Sequence, residues 1–103
     1  MSTPARLAPL APAPGVRTAR CADEIVLLDA AGTRLHVLDA PAALVWRCFD
    51  GETSTDDIVD DIAEVFRRDV DYVRSYVSTL VALLVSRELL VEAFAASVPV
   101  AHA

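Results

Sequence analysis

The chain has 103 residues, with nine basic side chains against fifteen acidic ones and a formal net charge of -6 at pH 7. That length sets one domain as the expectation, and 54% hydrophobic residues with 6% aromatics supply one core built mainly of Val, Leu, Ala and Ile. Acidity with no Lys and scattered Arg argues against nucleic acid, whose phosphates must be neutralised by basic side chains; it also disfavours anionic membrane surfaces and permits a basic peptide partner.

Residues 1–15 are rich in Ala and Pro and have no periodic apolar pattern, so they read as a disordered or extended tail. Pro4, Pro9, Pro12 and Pro14 break any helical signal core there. No apolar run approaches the roughly 20 residues of a membrane span, and a cytoplasmic protein is the expectation. The folded part is read as residues 16–92. Val16 to Cys21 is a weak strand candidate, and Glu24 to Asp29, rich in β-branched residues, is a strong one. Ala30-Ala31-Gly32-Thr33 is a turn with Gly32 free to take positive φ. Arg34-Leu35-His36-Val37-Leu38 alternates polar and apolar residues, the pattern of a half-buried strand. Leu35 and Val37 are expected to hold the fold and His36 to face outward.

Asp39 is placed to cap a helix that tolerates Pro41 in its first turn and runs to about Phe49, where Asp50-Gly51 stops it. Ser54 caps a second helix, with Asp57 in the position of a capping-box acid. Ile58, Val59, Ile62, Ala63 and Phe66 form its inner stripe; Asp56, Asp57, Asp60, Asp61 and Glu64 cover the opposite face. Asp69 caps a third helix with Val73, Val77, Leu80, Val81 and Leu84 inside and Tyr72, Tyr76 and Leu83 on one flank. Glu88 to Glu92 is either a short strand or a last helical turn, and residues 93–103 are a second tail. Strands followed by helices make the fold α+β, winged helix-turn-helix-like, with a three-stranded antiparallel sheet followed by three helices.

Few residues suggest chemistry. The acidic run of the second helix is a solvated face whose first-turn acids suit the helix dipole; the Asp50–Asp61 window lacks the ligand pattern of a calcium loop. His36 and His102 have no Cys or second His at ligand spacing, so no metal and no cofactor are expected. Nucleophile elbows, dinucleotide fingerprints and phosphate loops are absent, and no catalytic residue is assigned. Cys21 and Cys48 are read as reduced, Cys48 as a small core residue. Trp46 is either a core anchor or an exposed contact for a partner or second copy. Tyr72 and Tyr76 either flank the core or line a groove beside the strand Arg34 to Leu38. An edge strand there exposes unpaired backbone groups, and an extended peptide adding to it would gain roughly 0.5–1.5 kcal/mol per hydrogen bond.

Val26-Leu27-Leu28-Asp29, Leu38-Asp39, Val45-Trp46, Phe49-Asp50-Gly51, Ser54-xxx-Ile58 and the Val73–Leu84 helix followed by Leu89-Leu90 occur in an order and spacing that resembles the pyrroloquinoline quinone biosynthesis protein D (PqqD) family. The resemblance covers about Val16 to Val91. It implies a non-enzymatic peptide chaperone, also called a precursor-peptide recognition element. Such a domain binds the leader of a ribosomally synthesised precursor peptide as an added strand. It presents that precursor to a modifying enzyme, often a radical S-adenosylmethionine (radical SAM) protein. Carried over, the implied peptide-binding residues are Arg34, Leu35, His36, Val37 and Leu38 on the strand with Tyr72 and Tyr76 on the third helix. Two features depart from the pattern: the N-terminal tail is long, and Pro41 stands where a small polar residue is expected. Two other readings remain. A winged-helix DNA-binding regulator would need a basic third helix, which offers only Arg74 and Arg87. A small structural docking subunit, homodimeric or bound to an enzyme, would need no peptide affinity.

Overall fold

The computed structural model describes residues 9–93. In chain order the elements are β1 (Leu10–Pro12), β2 (Arg17–Cys21), β3 (Glu24–Leu28), β4 (Leu35–Leu38), α1 (Ala40–Trp46), α2 (Thr55–Phe66), α3 (Val70–Ser86) and β5 (Leu90–Glu92). β2, β3 and β4 form an antiparallel sheet in that order, so among the described residues β4 is an edge strand, and β1 pairs with β5 in a separate two-stranded sheet. The architecture is the expected α+β one, with three helices following the three-stranded sheet.

Two hairpins build the main sheet. Cys21 pairs with Glu24 across a two-residue turn in which Ala22 takes φ +56. The second turn is held by Asp29, whose carboxylate accepts from the Thr33 amide at 2.9 Å and the Arg34 amide at 3.3 Å, while Gly32 takes φ +74. These bonds hold the Asp29 carboxyl below its ordinary range, the Thr33 amide contributing most.

All three caps are where the sequence puts them. Asp39 accepts from the Ala42 amide, Ser54 from the Asp57 amide and Asp69 from the Tyr72 amide, each at 3.1 Å, meeting donors that a helix start leaves unpaired. α1 stops three residues short of Phe49, at Trp46. The chain turns there, and Asp50 accepts from the Glu52 and Thr53 amides at 2.8 Å each, so the loop rather than the helix uses Asp50. Phe49 remains in the core, and Trp46 is also buried, which leaves it no role as an exposed contact. α2 ends with Arg67 in the left-handed region (φ +55) and the Arg68 amide bonded to the Ala63 carbonyl, a closure of Schellman type.

Among the described residues every buried side chain is apolar. Leu27, Ile58, Val59, Val77, Leu84, Leu89 and Leu90 are the most enclosed. Of the expected α2 stripe, Phe66 is the exception: at the last turn it has drifted off the inner face and is half exposed.

Residues 10–15 are not a tail. Leu10 is 4% exposed, β1 runs antiparallel to β5, and the Ala13 amide bonds to the Leu89 carbonyl at 2.9 Å. The Gly51 amide also bonds to the Leu10 carbonyl, stitching the α1–α2 loop to β1. Three residues that pair with a strand some eighty positions away carry no local signal, which is why the sequence reading missed them. The rest of the expected N-terminal tail, residues 1–8, and the C-terminal tail from residue 94, with His102, lie outside the described residues. Among the described residues no helix is long and apolar enough to cross a membrane.

Candidate functional site: the free edge of β4 and the flank of α3

The register of β4 decides what it presents. The Asp29 amide donates to the Arg34 carbonyl at 3.2 Å, so the hairpin closes on a hydrogen-bonded pair. Pairs alternate along an antiparallel ladder. With Leu27 opposite His36 and Ile25 opposite Leu38, those are the next bonded pairs. Leu35 and Val37 therefore direct their N–H and C=O groups away from β3, toward the free edge.

The side chains follow the same phase, and it is the opposite of the one expected. Residues directly opposite in a pair share a face. His36 lies with Leu27, and Leu38 with Ile25, on the core side, where Leu38 is 5% exposed and His36 half-buried. Leu35 and Val37 lie on the outer face and are 68% and 63% exposed. The expectation that Leu35 and Val37 hold the fold while His36 points outward is thus inverted. Alternation gives the period of a strand but not its phase. Here the burial of Leu27 and Leu38 sets the phase. Arg34, at the start of the strand, is exposed.

Two points relate α3 to this strand. Near the end of β4, Tyr76 lies close enough to Asp39 for that carboxylate to help raise its hydroxyl pKa. At the start of β4, Arg34 and His36 share a cleft of about 240 Å³ with Ser86 and Arg87. Leu83, between Tyr76 and Ser86 in the sequence of α3, is 46% exposed. Tyr72 and Tyr76 do not lie over the middle of the strand. They open into a larger apolar cavity of about 490 Å³ between α1, the end of α2 and the start of α3, lined also by Leu44, Ile62, Phe66 and Arg68. Tyr72 is 62% exposed, whereas Tyr76 is partly buried against the core. Burial is the main reason that its hydroxyl pKa lies above 10.0, with Asp39 and then Tyr72 adding to it.

The seven sequence-picked residues therefore divide. Tyr72 and Tyr76 belong to the apolar cavity; Arg34 and His36 belong to the cleft at the far end of α3; Leu35 and Val37 supply the free edge between; Leu38 is core. Sequence reasoning missed Phe66 and Arg68 at the cavity rim. The signal was available: Phe66 is the last residue before two arginines, and the end of a helix is where an apolar side chain most easily leaves the inner face.

Other groups carry less. Cys21 and Cys48 are free thiols, Cys21 exposed and Cys48 half-buried, its Sγ 3.4 Å from the Leu44 carbonyl. Burial raises the Cys48 pKa, and Asp50 and Asp61 add to the rise. Arg74 is paired with Asp56 at 2.9 Å across α3 and α2. Among the described residues no group of three or more His, Cys, Asp or Glu side chains could hold a metal ion.

A family model described as Coenzyme PQQ synthesis protein D (PqqD) matches residues 24–90. The chain belongs to the PqqD family. Within it, the match begins at the first residue of β3 and ends at the first residue of β5, so it spans β4, all three helices and both clefts beside α3. A solved structure described as TbiB1 in complex with the TbiA(beta) leader peptide is similar to this PqqD-family chain, with a TM-score of 0.71 and 26% identity, over 78% of this chain and 93% of that one. No curated protein sequence matches the chain.

Proposed function

We propose that the chain is a peptide chaperone that binds the leader of a ribosomally synthesised precursor peptide as a fourth strand on β4 and presents it to a separate modifying enzyme in the cytoplasm. One observation carries the reading: in a family and fold whose solved relative TbiB1 holds a leader peptide, the outermost strand of the main sheet directs the backbone groups of Leu35 and Val37 away from β3, where no further strand pairs with them among the described residues. Strand addition satisfies those groups, and the clefts flanking α3 receive the side chains that point inward. The apolar cavity at Tyr72, Tyr76 and Phe66 suits a bulky apolar side chain of the leader just beyond the strand. Binding of this kind needs no catalytic group, and none is assigned.

Recognition of duplex DNA by α3 is the weaker reading. Arg74 already has Asp56 as its partner, and Arg87 stands at the C-cap of the helix, so α3 offers little to phosphates.

The test is titration of the protein with a synthetic leader taken from the short precursor reading frame beside its gene, followed by amide NMR and calorimetry. Leader binding should shift and protect the Leu35 and Val37 amides, and Tyr72→Ala, a change at an exposed position, should weaken it. Shifts that map instead to the acidic face of α2 would remove the proposed site.

A further inference from the structure

The outer face of the main sheet is apolar where it meets the free edge. Leu35 and Val37 are the most exposed large apolar side chains of the sheet, at 68% and 63%. The register places Leu28 and Val26 beside them on the same face, with Ala19 of β2 continuing the row behind Val26. Edge strands are ordinarily protected by charge, Pro or bulges. Within β4 the sequence is Leu-His-Val-Leu, with no acidic or basic residue other than His36. The two residues that expose their side chains here are the same two that direct their backbone groups outward.

That coincidence fixes how an added strand would be read. Resting on the strand-addition reading above, we propose that the outer face of β4 is a second specificity surface: it selects a peptide with apolar, preferably β-branched, residues at two positions i and i+2 opposite Leu35 and Val37. Residues of an added strand that bond directly to Leu35 and Val37 lie opposite them and share their face, with Cβ atoms about 5 Å apart. The residue between them, opposite His36, faces α3. The peptide is therefore held on both faces, by the clefts beside α3 on one and by Leu35 and Val37 on the other. A peptide reading apolar at i and i+2 gives those two side chains the cover that the fold leaves off, while one with charges there is placed against aliphatic groups that cannot compensate their loss of water.

The experiment is selection of a displayed library of random twelve-residue peptides on the immobilised wild-type protein and on Leu35→Glu/Val37→Glu. Both sites are exposed, so the fold is expected to survive, and circular dichroism checks it. Wild type should enrich peptides with apolar residues at an i, i+2 pair. The charge-bearing variant should enrich Lys or Arg at that pair while keeping the preferences at the intervening positions. A milder variant, Leu35→Thr/Val37→Thr, places strand-favouring β-branched residues at both positions and should bind the wild-type-selected peptides roughly 2- to 30-fold more weakly, as expected for losing two cross-strand apolar pairs. Enrichment of the same peptides by wild type and the Glu variant would overturn the proposal while leaving strand addition standing. Enrichment of nothing by wild type would sink both. A wild-type dimer that becomes monomeric in the Glu variant by sedimentation, with no peptide preference, would assign the face to a second copy of the chain instead.

Discussion

At the scale of single residues, the phase of β4 makes sharp and opposite predictions for neighbours. The His36 amide faces Leu27 within the ladder, whereas the Val37 amide faces outward. Proline is tolerated on an edge strand where its missing N–H would face solvent. Val37→Pro should therefore leave the urea midpoint nearly unchanged while weakening leader binding, by about 2- to 12-fold for one lost hydrogen bond. His36→Pro removes a ladder donor and leaves a carbonyl of β3 without its partner, a loss of about 1–3 kcal/mol. Equal destabilisation by the two substitutions would mean that the ladder phase is wrong. Tyr76 supplies a pH signature. Its folded pKa is raised above 10.0, first by burial, so the neutral hydroxyl is favoured in the folded state. The stability this contributes is fully present below the unfolded value near 10 and is lost as pH rises through the folded value. Urea midpoints should fall over that alkaline window in wild type and fall less in Tyr76→Phe. Cys48 is half-buried with a raised thiol pKa, and the thiolate is the reactive form. Mass spectrometry after brief alkylation near pH 8 should find Cys21 modified well before Cys48.

The helices and caps were legible at the scale of elements because their signals are local. Asp39, Ser54 and Asp69 each precede an apolar stripe and each accepts the amide three residues on; the spacing alone locates them. The α3 stripe of Val73, Val77, Leu80, Val81 and Leu84 is buried as its period requires. What the sequence concealed depends on partners distant along the chain. β1 has no pattern of its own, and its place follows from β5, from the Leu89 carbonyl and from the loop at Gly51. The face of β4 follows from β3 and the helices beneath it, and a run such as Leu35-His36-Val37-Leu38 offers apolar residues to either side. The candidate site was legible as a strand and a helix flank, but not as two clefts joined by a free edge, because the packing of α1 and α2 against Tyr72 and Tyr76 has no counterpart in local spacing. The β1 clamp makes a prediction contrary to the tail reading. Leu10 is 4% exposed within the main core, so Leu10→Ala should cost about 2–5 kcal/mol, read as a lowered urea midpoint with an unchanged slope. Deletion of residues 1–15 should cost at least as much, since it removes the β1–β5 bonds as well. A truncated chain that melts with wild type would show that the small sheet contributes nothing.

For the whole molecule, the arrangement couples ligand to fold in one direction. The leader's proposed partners come from elements far apart in sequence: the edge of β4, the flank of α3, and the cavity closed by α1 and α2. No unfolded chain holds these together, so the peptide binds the native state alone and must stabilise it by mass action. At a free leader concentration 100-fold above Kd the gain is about 2.7 kcal/mol. A domain of this size shifts its Tm by roughly 4–8 °C per kcal/mol, so saturating leader should raise the Tm by roughly 10–20 °C. The shift should grow with the logarithm of leader concentration rather than level off. Val37→Pro, with the outward donor gone and the ladder intact, should show a smaller Tm shift than wild type at every leader concentration. Differential scanning calorimetry of both proteins over a leader series separates the possibilities. A larger shift in wild type than in Val37→Pro places the peptide on the β4 edge. A shift of equal size in both places it elsewhere on the fold, and no shift in wild type at saturation removes leader binding as the function of this chain.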